Sequence, residues 1–232
     1  MRFWLFKYFI FLLSPFVFSQ EKINQFDENG KRHGIWQKTY PNSDQLRYEG
    51  TFEHGKEVGL FKFYFEKSKD QPSATKLFSK DSDSVEAKFF TLKGELVSTG
   101  KLVAGKREGK WTYYHKGSDK IMMTEFYIND KLEGPSTTYF DNGKIAGELN
   151  YKNGVLHGKE KTYSEDGVLL KEFNYVNGKL NGSVTYYDVS GNISIKGQYK
   201  NNLQDGLWKY YRNGKLTEER TYPLPQPTKN KL

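Results

Sequence analysis

Short runs of alternating aromatic and polar residues, each opened by a glycine, recur along most of the chain, as in Gly206-Leu207-Trp208-Lys209-Tyr210-Tyr211 and Gly109-Lys110-Trp111-Thr112-Tyr113-Tyr114. A period of two is that of an extended strand, in which alternate side chains share a face. Positions two and four after the glycine read Trp36/Lys38, Phe61/Phe63, Trp111/Tyr113, Ser136/Thr138, Glu160/Thr162, Val184/Tyr186 and Trp208/Tyr210. Position five faces the other way and is tyrosine at 64, 114, 139, 163, 187 and 211. A turn and a second short strand follow each run. Asn-Gly, the strongest short hairpin signal because both central residues need positive φ, begins at Asn29, Asn142, Asn153, Asn177 and Asn213. No stretch after the N-terminal segment holds a helical period.

The runs repeat at a fixed interval. Their opening glycines lie at 34, 59, 109, 134, 158, 182 and 206, in steps of 25, 50, 25, 24, 24 and 24. The step of 50 is two periods, so a decayed unit is expected near position 84, with a longer polar loop within residues 67–100. The expected fold is therefore all-β: an elongated single antiparallel sheet, or ribbon, of about eight tandem hairpin repeats of 24–25 residues. Such an array is stabilised by contacts between neighbouring units. A glycine beside a ring would let the ring cover the backbone.

The N-terminus changes the picture of where the protein works. Arg2 and Lys7 precede an apolar stretch from Tyr8 to Phe18, and Val17 and Ser19 are small enough for a signal-peptidase site. The expectation is a signal peptide over 1–19, the repeat array over 20–222 and a Pro-rich tail over 223–232. About eleven apolar residues fall short of the roughly twenty that span a bilayer, so the mature chain is expected to be exported and not membrane-spanning. Cleavage would take the net charge from +8 to +6. With no cysteine in the sequence, disulfides, thiolate metal sites and a cysteine nucleophile are excluded. Aromatic residues at 16% argue against wholesale disorder.

The pattern Tyr-x-Asn-Gly-Lys-Leu-x-Gly-x-x-x-x-Tyr-x-x-x-Gly-x-Leu resembles that of MORN repeats, specifically the bacterial variant of the YwqK-like antitoxin family. It is clearest from Tyr175 to Ile193 and from Tyr151 to Leu169. The resemblance covers about residues 26–222. It implies an array of hairpins that binds proteins or, in some eukaryotic members, lipids. Two departures stand out: the polar loop in residues 67–88, and an export signal that suits a cytoplasmic antitoxin poorly.

No residue constellation suggests catalysis, a cofactor or a metal. His33 and His157 occupy one repeat slot, and with His54 and His115 they read as turn residues. Glu49, Glu125, Glu148, Glu172 and Glu218 recur near second-strand ends and read as partners for lysine. The run Gly100 to Arg107 nearly matches a phosphate-binding loop but lacks the final Ser/Thr and a following helix. Lys31, Lys56, Lys106, Lys131 and Lys179 share one slot at the first turn, and stacking would place them along one edge. Glu57, Glu108 and Glu133 dilute that charge. The candidate partner surface is Trp36, Phe61, Trp111, Tyr113, Trp208 and Tyr210, together with the five lysines. The expected function is an exported, non-enzymatic scaffold that binds another protein, such as a toxin-like partner. The alternative is an envelope module that holds polysaccharide or anionic lipid through aromatic rows and edge lysines. Nucleic acid is not expected as a partner of an exported chain.

Overall fold

The computed structural model describes residues 22–223. The expected signal peptide, and the tail beyond Pro223, lie outside the described residues. A short strand, β1 (Gln25–Phe26), pairs with the first hairpin of the array, β2 (Arg32–Thr39) and β3 (Leu46–Glu53). Units two to four are β4 (Lys56–Tyr64) with β5 (Pro72–Phe78), β6 (Ser84–Phe90) with β7 (Leu96–Val103), and β8 (Lys106–Tyr114) with β9 (Ile121–Ile128). In unit five β10 (Lys131–Leu132) pairs back with β9, and β11 (Gly134–Tyr139) pairs with β12 (Ile145–Lys152). Unit six is β13 (Val155–Leu156), β14 (Gly158–Tyr163) and β15 (Leu169–Val176). Unit seven is β16 (Lys179–Leu180), β17 (Gly182–Tyr187) and β18 (Ile193–Lys200). The last hairpin is β19 (Leu203–Arg212) with β20 (Lys215–Tyr222).

Every pairing is antiparallel and joins strands consecutive in the chain, except that β9–β11, β12–β14 and β15–β17 also pair past the two-residue strands β10, β13 and β16. The result is one open all-β sheet, a meander without crossovers. It has more strands than the sixteen that eight hairpins supply, for two local reasons. β1 adds an unforeseen strand at one end, and in units five to seven the first strand is interrupted before the opening glycine. There Glu133, His157 and Asn181 donate their backbone N–H to the carbonyls of Phe126, Asn150 and Asn174, each at 2.9 Å. The glycines that follow, Gly134, Gly158 and Gly182, have φ of 81°, 103° and 103°, which suits glycine and few other residues. The decayed unit is fully formed. Val85 pairs with Phe78 and stands where the opening glycine would be. Its first turn is longer, spanning 79–83 in place of a two-residue turn such as His54-Gly55.

All eight hairpins share a bulge that the sequence period does not announce. The register slips between positions four and five, from Lys38/Thr39 through to Tyr210/Tyr211. Position five keeps its place on the face opposite positions two and four: the Tyr64 hydroxyl reaches Glu49, which is also bound by Lys62.

The core is thin and lies along the face of positions two and four. Phe61, Trp111 and Trp208 are only 2–3% exposed. Each ring lies flat on a glycine in the preceding second strand. A Cβ added to Gly50 would sit 2.4 Å from the Phe61 ring, and one on Gly100 or Gly197 would sit 2.3 Å from Trp111 or Trp208. Ala87, Leu102, Trp111 and Tyr127 form one buried cluster, and Phe173, Val184 and Trp208 another. Where the repeat supplies no ring, the joint is filled otherwise. At the junction of units six and seven the ring comes from the preceding strand as Phe173, facing the small Val184 and lying 5.3 Å from Tyr186. At the junction of units five and six no ring covers Gly147, and an open cavity of about 220 Å³ remains between Ser136, Thr138 and Glu160.

Candidate functional site

The first turns stack along one margin, tied to the preceding unit at unit two and from unit five to unit eight. Gly55 donates its N–H to the Arg32 carbonyl at 2.8 Å, and Asp130, Gly154, Gly178 and Asn202 donate to Arg107, Leu132, Leu156 and Leu180 at 2.8–3.0 Å. Each bond joins the turn of one unit to the strand start of the unit before it. Side chains reinforce the same joints: the Glu108 carboxylate accepts the N–H of Asn129, Glu133 that of Asn153, and the Asn202 side chain that of Leu180. The carboxylates that dilute the lysine field therefore also hold the turns in register.

Lys31, Lys56, Lys106, Lys131 and Lys179 all lie on this margin and are exposed. Hairpin register adds a feature that reading the lysine slot alone missed. Residues flanking each two-residue turn pair across it, giving Glu53↔Lys56 in unit two and, from unit four onward, Val103↔Lys106, Ile128↔Lys131, Lys152↔Val155, Val176↔Lys179 and Lys200↔Leu203. Alternation places all of these on the face opposite the buried rings. Ile128, Val155, Val176 and Leu203 are 52%, 45%, 42% and 72% exposed. From unit four to unit eight the margin is thus a row of aliphatic–lysine pairs, about 10 Å apart from unit to unit. Each pair is an aliphatic residue and a lysine three positions apart, in either order, which is no fixed motif in the sequence.

The aromatic candidates divide. Phe61, Trp111 and Trp208 are buried by the glycine contacts above, so as candidate partner surface they offer almost no exposed area. Trp36, Tyr113 and Tyr210 are half-buried. The Trp36 indole N–H donates to the Gln25 carbonyl at 3.0 Å, and the Phe26 ring meets it edge-on at 5.1 Å. Lys31 and Trp36 come together, with Arg32, Lys38 and Tyr48, around an open depression of about 670 Å³ at the β1 end of the sheet. The Arg32 guanidinium lies 3.9 Å from the Phe52 ring centroid, a cation–π contact that fixes a positive charge in its wall.

On the opposite face, carboxylates meet tyrosine hydroxyls. Glu49 accepts from the Tyr64 hydroxyl at 2.7 Å and from Lys62 at 3.0 Å. The Tyr64 hydroxyl, with Lys62 and Gln37, holds the Glu49 carboxyl below the usual carboxylate range. Glu148 accepts from the Tyr163 hydroxyl at 2.8 Å, and burial together with that carboxylate pushes the Tyr163 pKa up to about 12. Glu172 pairs with Lys159 at 2.8 Å. Glu125 and Glu218, opposite Trp111 and Tyr210 in register, fall on the ring face instead and meet the Tyr127 hydroxyl and Arg220. The recurring glutamates are thus partners of lysine, arginine and tyrosine. Gly100 to Arg107, which resembled a phosphate-binding loop, is the end of β7, a tight turn and the start of β8, with Gly100 beneath Trp111. Among the described residues no helix is long and apolar enough to cross a membrane.

No curated protein matches the chain. A solved structure of S. aureus TarM aligns with 47% of this chain at 12% identity and a TM-score of 0.32, too low to carry any argument. This chain spans about a fifth of that protein's length, 21%. Four successive units, residues 132–153, 156–177, 180–201 and 204–222, match the MORN repeat variant family.

Proposed function

We propose that the chain is an exported, non-enzymatic scaffold that binds another protein along the first-turn margin. Repeat arrays present extended surfaces from small, regularly spaced contributions. The observation that carries the reading is the row of exposed aliphatics, each beside a lysine, from Ile128/Lys131 to Lys200/Leu203, with the half-buried Val103 beside Lys106 before it. Exposed aliphatics in register with one sign of charge suit a partner that is acidic and apolar in alternation. A toxin-like protein neutralised by this chain is the form that the resemblance to YwqK-like antitoxins suggests, and the reading of the N-terminus places the encounter outside the cytoplasm.

The experiment is capture of partners from envelope extracts with the native chain and with an Ile128→Ser/Val176→Ser/Leu203→Ser variant. One or two stoichiometric proteins held by the native chain and lost by the variant, with melting unchanged, support the reading. Equal capture by both would refute it.

A second reading rests on the depression around Trp36. A ring edge beside Lys31, Arg32 and Lys38 suits an anionic polysaccharide or lipid headgroup. Retention on purified cell wall or anionic vesicles that is reversed by salt and lost in Trp36→Ala would favour it over a protein partner.

A further inference from the structure

The first two units gather three side chains that the sequence keeps apart. Asp27 lies in the turn between β1 and β2, His33 lies on β2, and His54 opens the β3–β4 turn with φ 48°. Their possible ligand atoms all lie within 4.8 Å of one another. The Asp27 carboxylate is held in place: Oδ1 accepts the backbone N–H groups of Asn29 and Lys31, both at 2.9 Å. That leaves Oδ2 to face His54 Nδ1, 2.7 Å away. The His33 and His54 rings lie 4.9 Å apart between centroids. The Asp27 side chain is 7% exposed and that of His54 65%, so a fixed carboxylate lies beneath accessible imidazoles.

An Asp27–His54 ion pair would explain two of the three groups. It does not explain the second imidazole brought against the first. Two imidazoles and a carboxylate are the donor set of borderline divalent metals, whereas calcium and magnesium take oxygen ligands. We propose that Asp27, His33 and His54 form a site for a divalent transition-metal ion of the zinc class, with water completing the coordination. Metal–ligand bonds of about 2.0–2.2 Å place ligand atoms about 3.3 Å apart. A modest rotation of the exposed His33 and a slight widening of the His54–Asp27 contact reach that spacing. Glu53, next to His54 in the chain, adds negative charge nearby, although Lys80 binds it at 2.7 Å. Lys31 packs over Gly55 beside the site, and it and Lys56 oppose a cation. The ion would clip the turn before β2 to the turn before β4, at the end of the array where the first unit has a neighbour on one side only.

The test is titration of the purified chain with Co²⁺ and then Zn²⁺, followed by visible absorption and by thermal melting. The expected result is one equivalent of Co²⁺ bound with the absorption of a nitrogen- and oxygen-ligated ion, displaced by one equivalent of Zn²⁺, and a higher melting temperature with Zn²⁺. His33→Ala leaves the His54–Asp27 contact intact and should melt like the native chain without metal. It should nevertheless bind Zn²⁺ at least about 100-fold more weakly, at or beyond the upper end of what loss of an outer-shell partner costs. His157→Ala removes the histidine in the same repeat slot of unit six and should change nothing. Failure to bind either ion at about 0.1 mM, a weak affinity on the usual scale, would overturn the proposal. Zn²⁺ binding unaffected by His33→Ala, or weakened equally by His157→Ala, would overturn it as well.

Discussion

Replacing Gly100 by alanine isolates the contact that holds one unit to the next. Gly100 needs no positive φ, so alanine suits its backbone and would by itself gain about 0.5–1 kcal/mol by restricting the unfolded chain. The added Cβ, however, would sit 2.3 Å from Cδ2 of Trp111, with two further ring atoms at 2.4 and 2.7 Å. The ring is 3% exposed and packed among Ala87, Leu102 and Tyr127, and its indole N–H donates to the Lys101 carbonyl at 3.2 Å. It cannot rise without losing burial and that bond. Overpacking of this kind costs about 1–3 kcal/mol, and the strained hydrogen bond adds about 1 kcal/mol. The net expectation is a loss of about 2–3 kcal/mol, or about 5–10 °C in melting temperature for a chain of this size. Urea denaturation followed by far-UV circular dichroism measures it. Two comparisons separate the causes. Gly105→Ala, at φ 78° with nothing within 4 Å, tests backbone strain alone and should cost about 1 kcal/mol. In a Trp111→Ala background the cost of Gly100→Ala should vanish or change sign. A cost that persists there, or no cost in the native background, would refute the ring-on-glycine joint.

Trp208→Ala should cost about 3–5 kcal/mol, because it empties the Phe173–Val184–Trp208 cluster, and any loss of ligand binding should then track melting. Stability should decline in alkali between about pH 10 and 12. Tyr163 and Tyr175 are held neutral up to about 12 when folded, so the unfolded chain gives up these protons first and the folded-state advantage is lost as pH rises through that window. Tyr163→Phe and Tyr175→Phe should flatten that limb of a pH–melting curve. Below about pH 5 Glu49 is one of several carboxylates whose lowered pKa stabilises the fold above the ordinary carboxylate value and ceases to do so as pH falls through the lowered one. Glu49→Gln should reduce the acid sensitivity.

The hairpins and their stacking were legible in the sequence because they depend on local demands. All seven opening glycines of the repeat have positive φ, from 66° at Gly206 to 103° at Gly158 and Gly182. The contact of rings with glycine was legible too, since Gly50, Gly100 and Gly197 each lie about eleven residues before the ring they support. What was not legible depends on register. The bulge before position five leaves side-chain alternation intact on its own strand and so hides from a periodicity argument. The aliphatic–lysine pairs emerge only once strands are aligned across each turn. The cluster of Asp27, His33 and His54 joins residues from two units and an added strand, so no spacing rule pointed to it. Four of the eight units match the family while unit three is as well formed as the rest, because Val85, Ala87 and Phe89 fill its joints without the glycine signature.

Excision of one whole period tests most directly the claim that each unit rests only on its neighbours in the chain. Deleting residues 159–182 joins Gly158 to Ser183 and sets β17 beside β12. Backbone NMR of the shortened chain should then show strand pairing of Glu148 with Thr185 in place of Lys161, and cooperative melting of an intact sheet. Loss of the sheet, or rearranged pairing in units remote from the junction, would contradict the account.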